Sequence, residues 1–345
     1  MSLMAPPIPL CHASQAQRGI MLILLVFIIG IVATTYLLHA LNAESIRTDR
    51  DLRTSKALTE ARTALLGYAA TYDDLHSGEV FGYLPCPDLS ATDPNGEGSQ
   101  SPCESKNVSV LGKLPWKTLD ISPIRDGDGE CLWFAVSGNY KSNPKTDDFS
   151  PNTTGLINVL AADGTSYLAD STNPAVAVIF APGSVLNGQS RSIDDTATKC
   201  GGNYVASNYL DSDTTSNTNN AVVSSVANTV STFIAATNSQ LTANQADQFN
   251  DRLLIIRKSD VFAVYCKKYA NTLLTHVSTT DSSNNCKNIA MLPICAAMAN
   301  NLHAYCEPQT CKDAALTFIS ADCLEDLSSI DCQAAIGNLK TCKYE

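Results

Sequence analysis

Residues 17–38 read QRGIMLILLVFIIGIVATTYLL, and this stretch decides how the chain is organised. After Arg18, no Asp, Glu, Lys or Arg occurs until Glu44. About 20 consecutive apolar residues are what an α-helix needs to cross a bilayer. The sequence therefore predicts a transmembrane helix over residues 20–41, preceded by a short leader, residues 1–19.

The helical pattern continues beyond the apolar stretch. Residues 44–72 contain no Pro and a single Gly. Their apolar side chains recur at roughly helical spacing, which places them on one face that can pack against a globular domain. They are Leu52, Ala57, Ala61, Leu65 and Ala69. We expect one long helix with a membrane half and an amphipathic half.

Two other interpretations of the apolar stretch stay open. A cleaved signal peptide would have a long n-region and a bulky Leu38 or Leu41 at the −3 position of its cleavage site. A lipoprotein signal would need its cysteine after the apolar run, whereas Cys11 precedes it. The positive-inside rule, applied to the basic residues that flank the stretch, does not place the C-terminal part of the chain outside the cytosol. The distribution of cysteines does favour that orientation, because disulfides form outside the cytosol.

Composition narrows the class of protein. The formal net charge of −11 and the lack of a basic run argue against nucleic-acid binding, which needs clustered Lys and Arg. Twelve of the 13 cysteines follow the apolar stretch, the even number that a disulfide framework requires. None of them has CxxC spacing, and the five histidines are not placed as ligand partners, so disulfides in an oxidising compartment are favoured over structural zinc.

The amino-terminal sequence resembles the cleavage site of the type IV pilin-like (pseudopilin) family. Gln17-Arg18-Gly19 precedes the apolar run, and GYLPCPD at 82–88, KLPW at 113–116 and LWFAVS at 132–137 follow in the order seen in pilin-like proteins. The resemblance implies cleavage after Gly19 by a prepilin peptidase and a new, commonly methylated, amino terminus at Ile20. It also implies the inner membrane and sister pilin subunits as partners.

One position departs from the family pattern. Most members have Glu at the fifth residue of the mature chain, and this chain has Leu24 there. Members without this Glu include large minor pseudopilins located at filament tips. The resemblance therefore implies a minor subunit acting in assembly, tip priming or adhesion, located in the bacterial inner membrane with a periplasmic head or in an extracellular filament. A segment that is merely an anchor is the alternative.

The remaining sequence predicts an α+β fold, with the long N-terminal helix packed on an antiparallel sheet. Strands are expected at 131–137, 156–160, 165–169, 175–181 and 253–257, and Asp163-Gly164 favours a hairpin turn. We assign residues 42–260 to a pilin-like head, with a Ser/Thr/Asn-rich insertion near 207–248. Within the insertion, Val222, Val226, Val230, Phe233 and Ile234 fit a helical face.

Residues 261–345 are predicted to form a disulfide-rich, mainly helical cap, with helices near 267–277, 296–304 and 311–339. By proximity, Cys86 pairs with Cys103, which leaves Cys131 and Cys200 as a pair. The eight cysteines of the cap allow 105 connectivities and are not assigned. The predicted disulfide cysteines are Cys86, Cys103, Cys131, Cys200, Cys266, Cys286, Cys295, Cys306, Cys311, Cys323, Cys332 and Cys342.

Two acidic loops are candidates for calcium. Asp126, Asp128 and Glu130 alternate with glycines, and hard oxygen donors on a Gly-bent loop suit Ca²⁺. A second loop, residues 93–97, reads DPNGE. Neither matches the twelve-residue EF-hand, and a solvated turn in which Asp and Gly serve backbone geometry is the alternative.

Nothing in the sequence indicates an enzyme. The histidines are scattered, no GxSxG or phosphate-binding glycine loop occurs, and Ser184 has no sequence-adjacent base. Two hypotheses follow. The first is a minor pilin or pseudopilin of a type IV pilus or type II secretion-like filament. The second is a membrane-anchored, exported, disulfide-rich binding protein that does not enter a filament.

Overall fold

The computed structural model describes most of the chain. Residues 1–15, 78, 93–94, 104, 147–148, 150–151, 192–197, 215, 236–248, 279–285, 287–291, 307–308, 321–329 and 341–345 lie outside the described set. Within helices, side chains are not described at several further positions, including residues 16–21 and 35–44. Cys11, Cys323, Cys342 and the start of the second acidic loop therefore fall outside the described residues.

The chain divides into two compact units, Met1–Leu52 and Arg53–Glu345. Helix α1, Ala16–Leu75, has residues in both. The predicted finer division at residues 19, 41 and 260 is not tested by this partition and stays a prediction.

The part of α1 that belongs to the second unit is amphipathic. Leu58, Ala61, Leu65 and Ala69 are buried and share a face because they lie three or four residues apart. Their side chains belong to the same apolar core as Leu84, Val110 and Phe134. This packing confirms the face predicted at Ala57, Ala61, Leu65 and Ala69, whereas Leu52, predicted to share that face, is 68% exposed.

Among the described residues, nine strands follow α1. They are β1 (Val110–Lys113), β2 (Trp133–Val136), β3 (Ile157–Leu160), β4 (Tyr167–Ala169), β5 (Ala175–Ala181), β6 (Ser212–Asp213), β7 (Thr218–Asn219), β8 (Ser231–Ile234) and β9 (Arg252–Arg257). Strands β6 and β7 pair only with each other, and the other seven form one sheet. The five predicted strands are confirmed as β2, β3, β4, β5 and β9.

The sheet is mixed rather than antiparallel. Strand β5 pairs antiparallel with β2 and with β9, and β1 pairs antiparallel with β2. Strand β3 forms an antiparallel hairpin with β4, in which Gly164 adopts a positive φ of 68°. The hairpin expected at Asp163-Gly164 is therefore present. Strand β3 also pairs with β8, and that pairing is parallel.

Both faces of the central strands are covered, which explains the unbroken apolar sequence of β5. Successive side chains of a strand point to opposite faces. Phe134 and Ile179 belong to the core that contains α1, whereas Trp133 and Phe180 belong to a second core with Tyr209 and Phe233. A strand buried on both faces needs no polar side chains.

The C-terminal part is helical. Helix α2 (Lys258–Ser278) begins directly after β9. It is followed by α3 (Leu292–Tyr305), α4 (Gln309–Ser320) and α5 (Ile330–Lys340). Helix α2 contacts the second-unit part of α1: Lys268 Nζ lies 2.5 Å from an Asp74 oxygen, and Tyr269 donates a 2.7 Å hydrogen bond to Asp73. Burial and the neighbouring Asp73 raise the pKa of Tyr269 to about 12.

The predicted fold class is wrong in two respects. The sheet contains the parallel β3–β8 pair, so it is not antiparallel. Among the described residues, no helix is long and apolar enough to cross a membrane.

The same finding overturns the predicted location, a single pass of the bacterial inner membrane with a periplasmic head or an extracellular filament. The disulfides themselves are typical of an oxidising compartment, either periplasmic or extracellular.

Candidate functional site

The predicted processing residues, Gly19 and Ile20, lie inside α1, near its amino-terminal end at Ala16. Their side chains are outside the described set, so cleavage between them stays a prediction. The described apolar residues begin two positions later, at Leu22.

A continuous set of exposed apolar side chains follows these residues. Leu24 is one of them. Each member is between 52% and 68% exposed. They are Leu22, Ile23, Leu24, Leu25, Val26, Phe27, Ile28, Ile29, Ile31 and Val32. We call this set the apolar segment.

The apolar segment lacks the polar face of an ordinary surface helix. A surface helix typically buries one apolar stripe and directs charged or polar residues to water. Here consecutive residues are apolar, so every side of the helix carries Leu, Ile, Val or Phe. The hydroxyl of Thr34 does not compensate, because it donates to the Gly30 and Ile31 carbonyls of its own helix. This surface is suited to apolar partners on more than one side.

The acidic loop at residues 126–130 is held by one buried carboxylate. Asp126 Oδ1 accepts hydrogen bonds of 2.9 Å from the backbone N–H groups of Asp128 and Glu130. Its Oδ2 accepts a 2.8 Å bond from the N–H of Gly183, in the turn after β5. Burial raises the pKa of Asp126, although these three hydrogen bonds act in the opposite direction. Asp126 therefore fixes the loop and ties it to the neighbouring turn.

The calcium prediction for this loop is not supported. Both Asp126 oxygens accept backbone hydrogen bonds, and Glu130 forms an ion pair of 3.2 Å with Arg191. Within the described part of the chain, no three His, Cys, Asp or Glu side chains are placed to hold a metal ion. In the second loop, Asp93 and Pro94 lie outside the described residues, and Glu97 accepts a hydrogen bond from the Gly201 N–H at 2.7 Å.

The structure also brings together two carboxylates, those of Asp211 and Asp251, which the sequence analysis did not single out. Asp251 is completely buried, and its Oδ2 accepts hydrogen bonds from the Asp211 N–H at 2.8 Å and from Asn220 Nδ2 at 3.1 Å. Asp211 Oδ2 in turn accepts from the N–H groups of Asn250 and Asp251. Burial and the charge of Asp211 raise the pKa of Asp251 well above its usual value.

This acid pair joins distant segments of the second unit. Asn220 also exchanges two hydrogen bonds with the backbone of Ile234 in β8, at 2.9 and 3.1 Å. The contacts therefore connect the start of β9, the β6–β7 hairpin and β8. The only sequence features at these residues are the short polar stretches Asp-Ser-Asp at 211–213 and Asn-Asp at 250–251. Such stretches are common in exposed turns, so they do not predict buried carboxylates.

Four disulfides connect described cysteines. Cys86 pairs with Cys103 and Cys131 with Cys200, as predicted, and the cap contains Cys266–Cys306 and Cys286–Cys295. Cys311 and Cys332 are also disulfide-bonded. Two of these bonds cross-link residues more than 35 positions apart, which restricts the unfolded chain most strongly.

The elements considered for catalysis have structural partners. Ser184 accepts hydrogen bonds from Asn250, and His303 Nδ1 lies 3.0 Å from the Lys312 carbonyl oxygen. His76 stacks on Tyr72 with ring centroids 4.1 Å apart. His12 and the side chain of His39 lie outside the described set. The expectation that the chain is not an enzyme stays a prediction.

The chain matches no protein-family model, no curated protein and no solved structure. Function is therefore argued from the residues and geometry described above.

Proposed function

We propose that this chain is a pilin-like structural subunit, a minor pilin or pseudopilin, that assembles with sister subunits through its apolar segment. The exposure of ten large apolar side chains within residues 22–32 carries this proposal. A prepilin peptidase would expose this surface at the new amino terminus by cutting between Gly19 and Ile20.

The energetics favour burial of the apolar segment against other subunits. Fully burying one Val, Leu, Ile or Phe side chain stabilises a complex by roughly 1.5–3 kcal/mol. Ten such residues arranged around the helix cannot all be covered by one flat partner. Several neighbouring helices can cover them, as in the packed centre of a filament. A helix with β-branched and large side chains on every side is suited to this arrangement.

The second unit provides the rigid, exposed part of the subunit. Its core, mixed sheet and disulfides hold its loops and helices in one arrangement. The proposal needs no cofactor. Assembly, tip priming or adhesion requires such a recognition surface rather than a nucleophile or a general base. Leu24 in place of the usual Glu supports a minor role rather than that of the major repeating subunit.

The test is the mature amino terminus. The full chain would be expressed with and without a prepilin peptidase and analysed by intact mass and amino-terminal peptide sequencing. We expect a start at Ile20 only when the peptidase is present, with methylation of the new terminus.

A matched variant strengthens this test. Gly19→Val should block cleavage, because it replaces the Gly after which the resemblance places the cut, whereas Gly30→Ala, between Ile29 and Ile31, should not. A start near residues 40–44, or an uncut Met1 in the presence of active peptidase, would contradict the proposal. An exported disulfide-rich binding protein that does not enter a filament would then be the better account.

A further inference from the structure

A turn after β5 has the dipeptide Asn-Gly at its centre. Residues 186–189 read LNGQ. The Gln189 N–H donates a 3.1 Å hydrogen bond to the Leu186 carbonyl oxygen, and the Leu186 N–H donates a 3.0 Å bond to Gln189 Oε1. Asn187 and Gly188 are therefore the two central residues of a closed turn.

Both central residues are exposed to solvent. Gly188 has a φ of 91°, a conformation that favours glycine. Among the described residues, a Cβ built on Gly188 would meet no atom within 4 Å. In the same part of the chain, neither the Asn187 amide nor the Gly188 N–H has a hydrogen-bond partner. The side-chain amide and the backbone nitrogen are thus adjacent in the chain, and both reach water.

An asparagine followed by a glycine can react with its own backbone. The nitrogen of the next residue and the side-chain Cγ can join in a five-membered ring, and a glycine presents no Cβ that hinders this approach. Ring closure needs rotation of the backbone at the asparagine, so contacts that hold the segment oppose it. The turn at 186–189 opposes it with the two hydrogen bonds between its ends.

We infer that Asn187 is a site of spontaneous deamidation, in which the Gly188 nitrogen displaces ammonia from the side-chain amide. A bond forms between the Gly188 nitrogen and Asn187 Cγ, the bond from Cγ to the amide nitrogen breaks, and the Gly188 amide proton leaves with the ammonia. Water then opens the cyclic imide at one of its two carbonyl groups, which leaves aspartate or isoaspartate. Water is the co-reactant, and no electrons are transferred.

The sequence contains one other Asn-Gly pair, Asn95-Gly96, and the structure holds it more firmly. The Asn95 carbonyl oxygen accepts a 3.0 Å hydrogen bond from the Ser99 hydroxyl, and the Gly96 carbonyl oxygen accepts a 3.3 Å bond from the Ser99 N–H. Close by, the Gly98 N–H donates a 2.7 Å bond to the buried carboxylate of Asp88. Rotation at Asn95 would disturb these contacts, so we expect its deamidation to be slower.

Deamidation would change both the charge and the shape of the turn. Either product adds a negative charge, and isoaspartate also lengthens the main chain by one atom. Gln189, at the end of the turn, donates a 2.8 Å hydrogen bond to Asp211 and accepts a 2.6 Å bond from Arg191. A lengthened turn would therefore disturb contacts that reach the buried acid pair. The state of this loop then depends on the age of the chain.

The rates at the two Asn-Gly pairs of the full, oxidised chain give the test. The chain is incubated at mildly alkaline pH, where the backbone nitrogen loses its proton more readily. Peptides are then separated and identified by mass spectrometry, and an isoaspartyl methyltransferase labels isoaspartate. We expect Asn187 to react at least about tenfold faster than Asn95, because the segment around Asn95 must first open locally.

The unfolded chain is the control for effects of local sequence. After reduction and alkylation in guanidinium chloride, the two pairs should react at rates within about threefold of each other, because no folded contact distinguishes them. Equal rates in the folded chain would overturn the inference. So would an unreactive Asn187 in the folded chain when the unfolded chain reacts there.

Variants of the two glycines complete the test. Gly188→Ala should slow the loss of the Asn187 amide about tenfold or more, because its Cβ hinders the attacking nitrogen. Gly96→Ala should leave the rate at Asn187 unchanged. An unchanged rate in folded Gly188→Ala would contradict the inference. If Gly188→Ala does not fold, the comparison of the folded and unfolded natural chain decides the matter.

Discussion

The two compact units treat apolar side chains in opposite ways. In the first unit, Ile28 and its neighbours in the apolar segment are more than half exposed. In the second unit, Leu65 is completely buried, as are Phe134 and Phe180 in the sheet. Both Ile28 and Leu65 lie in the same helix, α1. The comparison shows that the number of apolar residues in a helix does not by itself indicate what the helix packs against. The distribution of those residues around the helix does.

In the second unit, polar residues separate the buried positions of α1. Thr59, Glu60 and Arg62 lie between Leu58 and Leu65 and are less buried than those leucines are. The helix therefore has one apolar face, and the core of the second unit is enough to cover it. The apolar segment has no such polar positions. In the proposed assembly its stabilisation comes from sister subunits, whereas the second unit is stabilised by its own core. The following predictions test this separation.

The largest effect should come from the longest disulfide loop of the second unit. The double substitution Cys131→Ala and Cys200→Ala removes a cross-link between residues 69 positions apart. We expect the free energy of unfolding to fall by about 4 kcal/mol in the chain-entropy treatment. Urea unfolding followed by tryptophan fluorescence measures it, because both tryptophans belong to this unit.

The matched control is Cys286→Ala with Cys295→Ala, which opens a loop of only 9 positions. Its expected cost is about 2.5 kcal/mol. Equal losses for the two pairs, or no loss for the first, would mean that the described bonds do not stabilise the second unit in this way.

Substitutions to Ala in the two parts of α1 should change the free energy of unfolding by very different amounts. Leu65→Ala removes a completely buried side chain, and we expect a loss of about 3 kcal/mol. Ile28→Ala, made at an exposed position, should change the free energy of unfolding of the dilute chain by less than about 0.5 kcal/mol. Denaturant titration of the two variants side by side gives the comparison, and similar losses would remove the distinction between the units.

The buried acid pair predicts a pH-dependent contribution to the stability of the second unit. Because the pKa of Asp251 is raised in the folded state, the folded chain binds more protons than the unfolded one above the ordinary carboxyl pKa. Stability should therefore fall as pH rises from the ordinary value through the raised one. Each unit of pKa elevation corresponds to about 1.4 kcal/mol.

Asp251→Asn should reduce this pH dependence, because the amide is neutral and can still accept the Asn220 hydrogen bond. We expect the variant to be relatively more stable at high pH than at low pH when compared with the natural chain. Thermal unfolding across the acid-to-neutral range tests it, with Glu60→Gln, at an exposed position of α1, as control. A parallel pH profile for Asp251→Asn and the natural chain would contradict the prediction.

Calcium should have the smallest effect, because Asp126 already holds its loop through backbone hydrogen bonds. Adding 1 mM Ca²⁺ or excess EDTA should shift the thermal midpoint of the second unit by less than about 1 °C. A site with a Kd of about 10 µM would instead stabilise the unit by about 2.7 kcal/mol at that concentration. Differential scanning calorimetry distinguishes these results.

Much of the second unit could be predicted because its local signals agree with its packing. Ala175 to Phe180 are apolar throughout, and β5 is buried on both faces. Asp163-Gly164 forms the turn it predicts, and the close spacing of Cys86 and Cys103 identified their pairing. In each case the information lies within a short stretch of sequence.

The errors arose where distant segments decide the structure. Phe233 and Ile234 fit a helical face, but they form β8, because the edge of β3 offers a parallel partner and Asn220 bonds to the backbone of Ile234. Val222 and Val226, expected on the same helix, are exposed in non-helical backbone. Asp251 reads as a turn residue, and only the fold buries it against Asp211.

The calcium prediction lacks support for a related reason. Alternating Asp, Asp and Glu with glycines predicts several ligands directed inward, but the backbone of the loop itself uses the Asp126 carboxylate.

Site-specific cross-linking between copies tests the assembly proposal most directly. In a Cys11→Ser background, Ile28→Cys places a thiol in the apolar segment, and Val222→Cys places one at a comparably exposed position of the second unit. After co-expression with the prepilin peptidase and mild oxidation, Ile28→Cys should give covalent dimers in high yield and Val222→Cys should give few. Equal yields, or none for Ile28→Cys, would contradict assembly through the apolar segment.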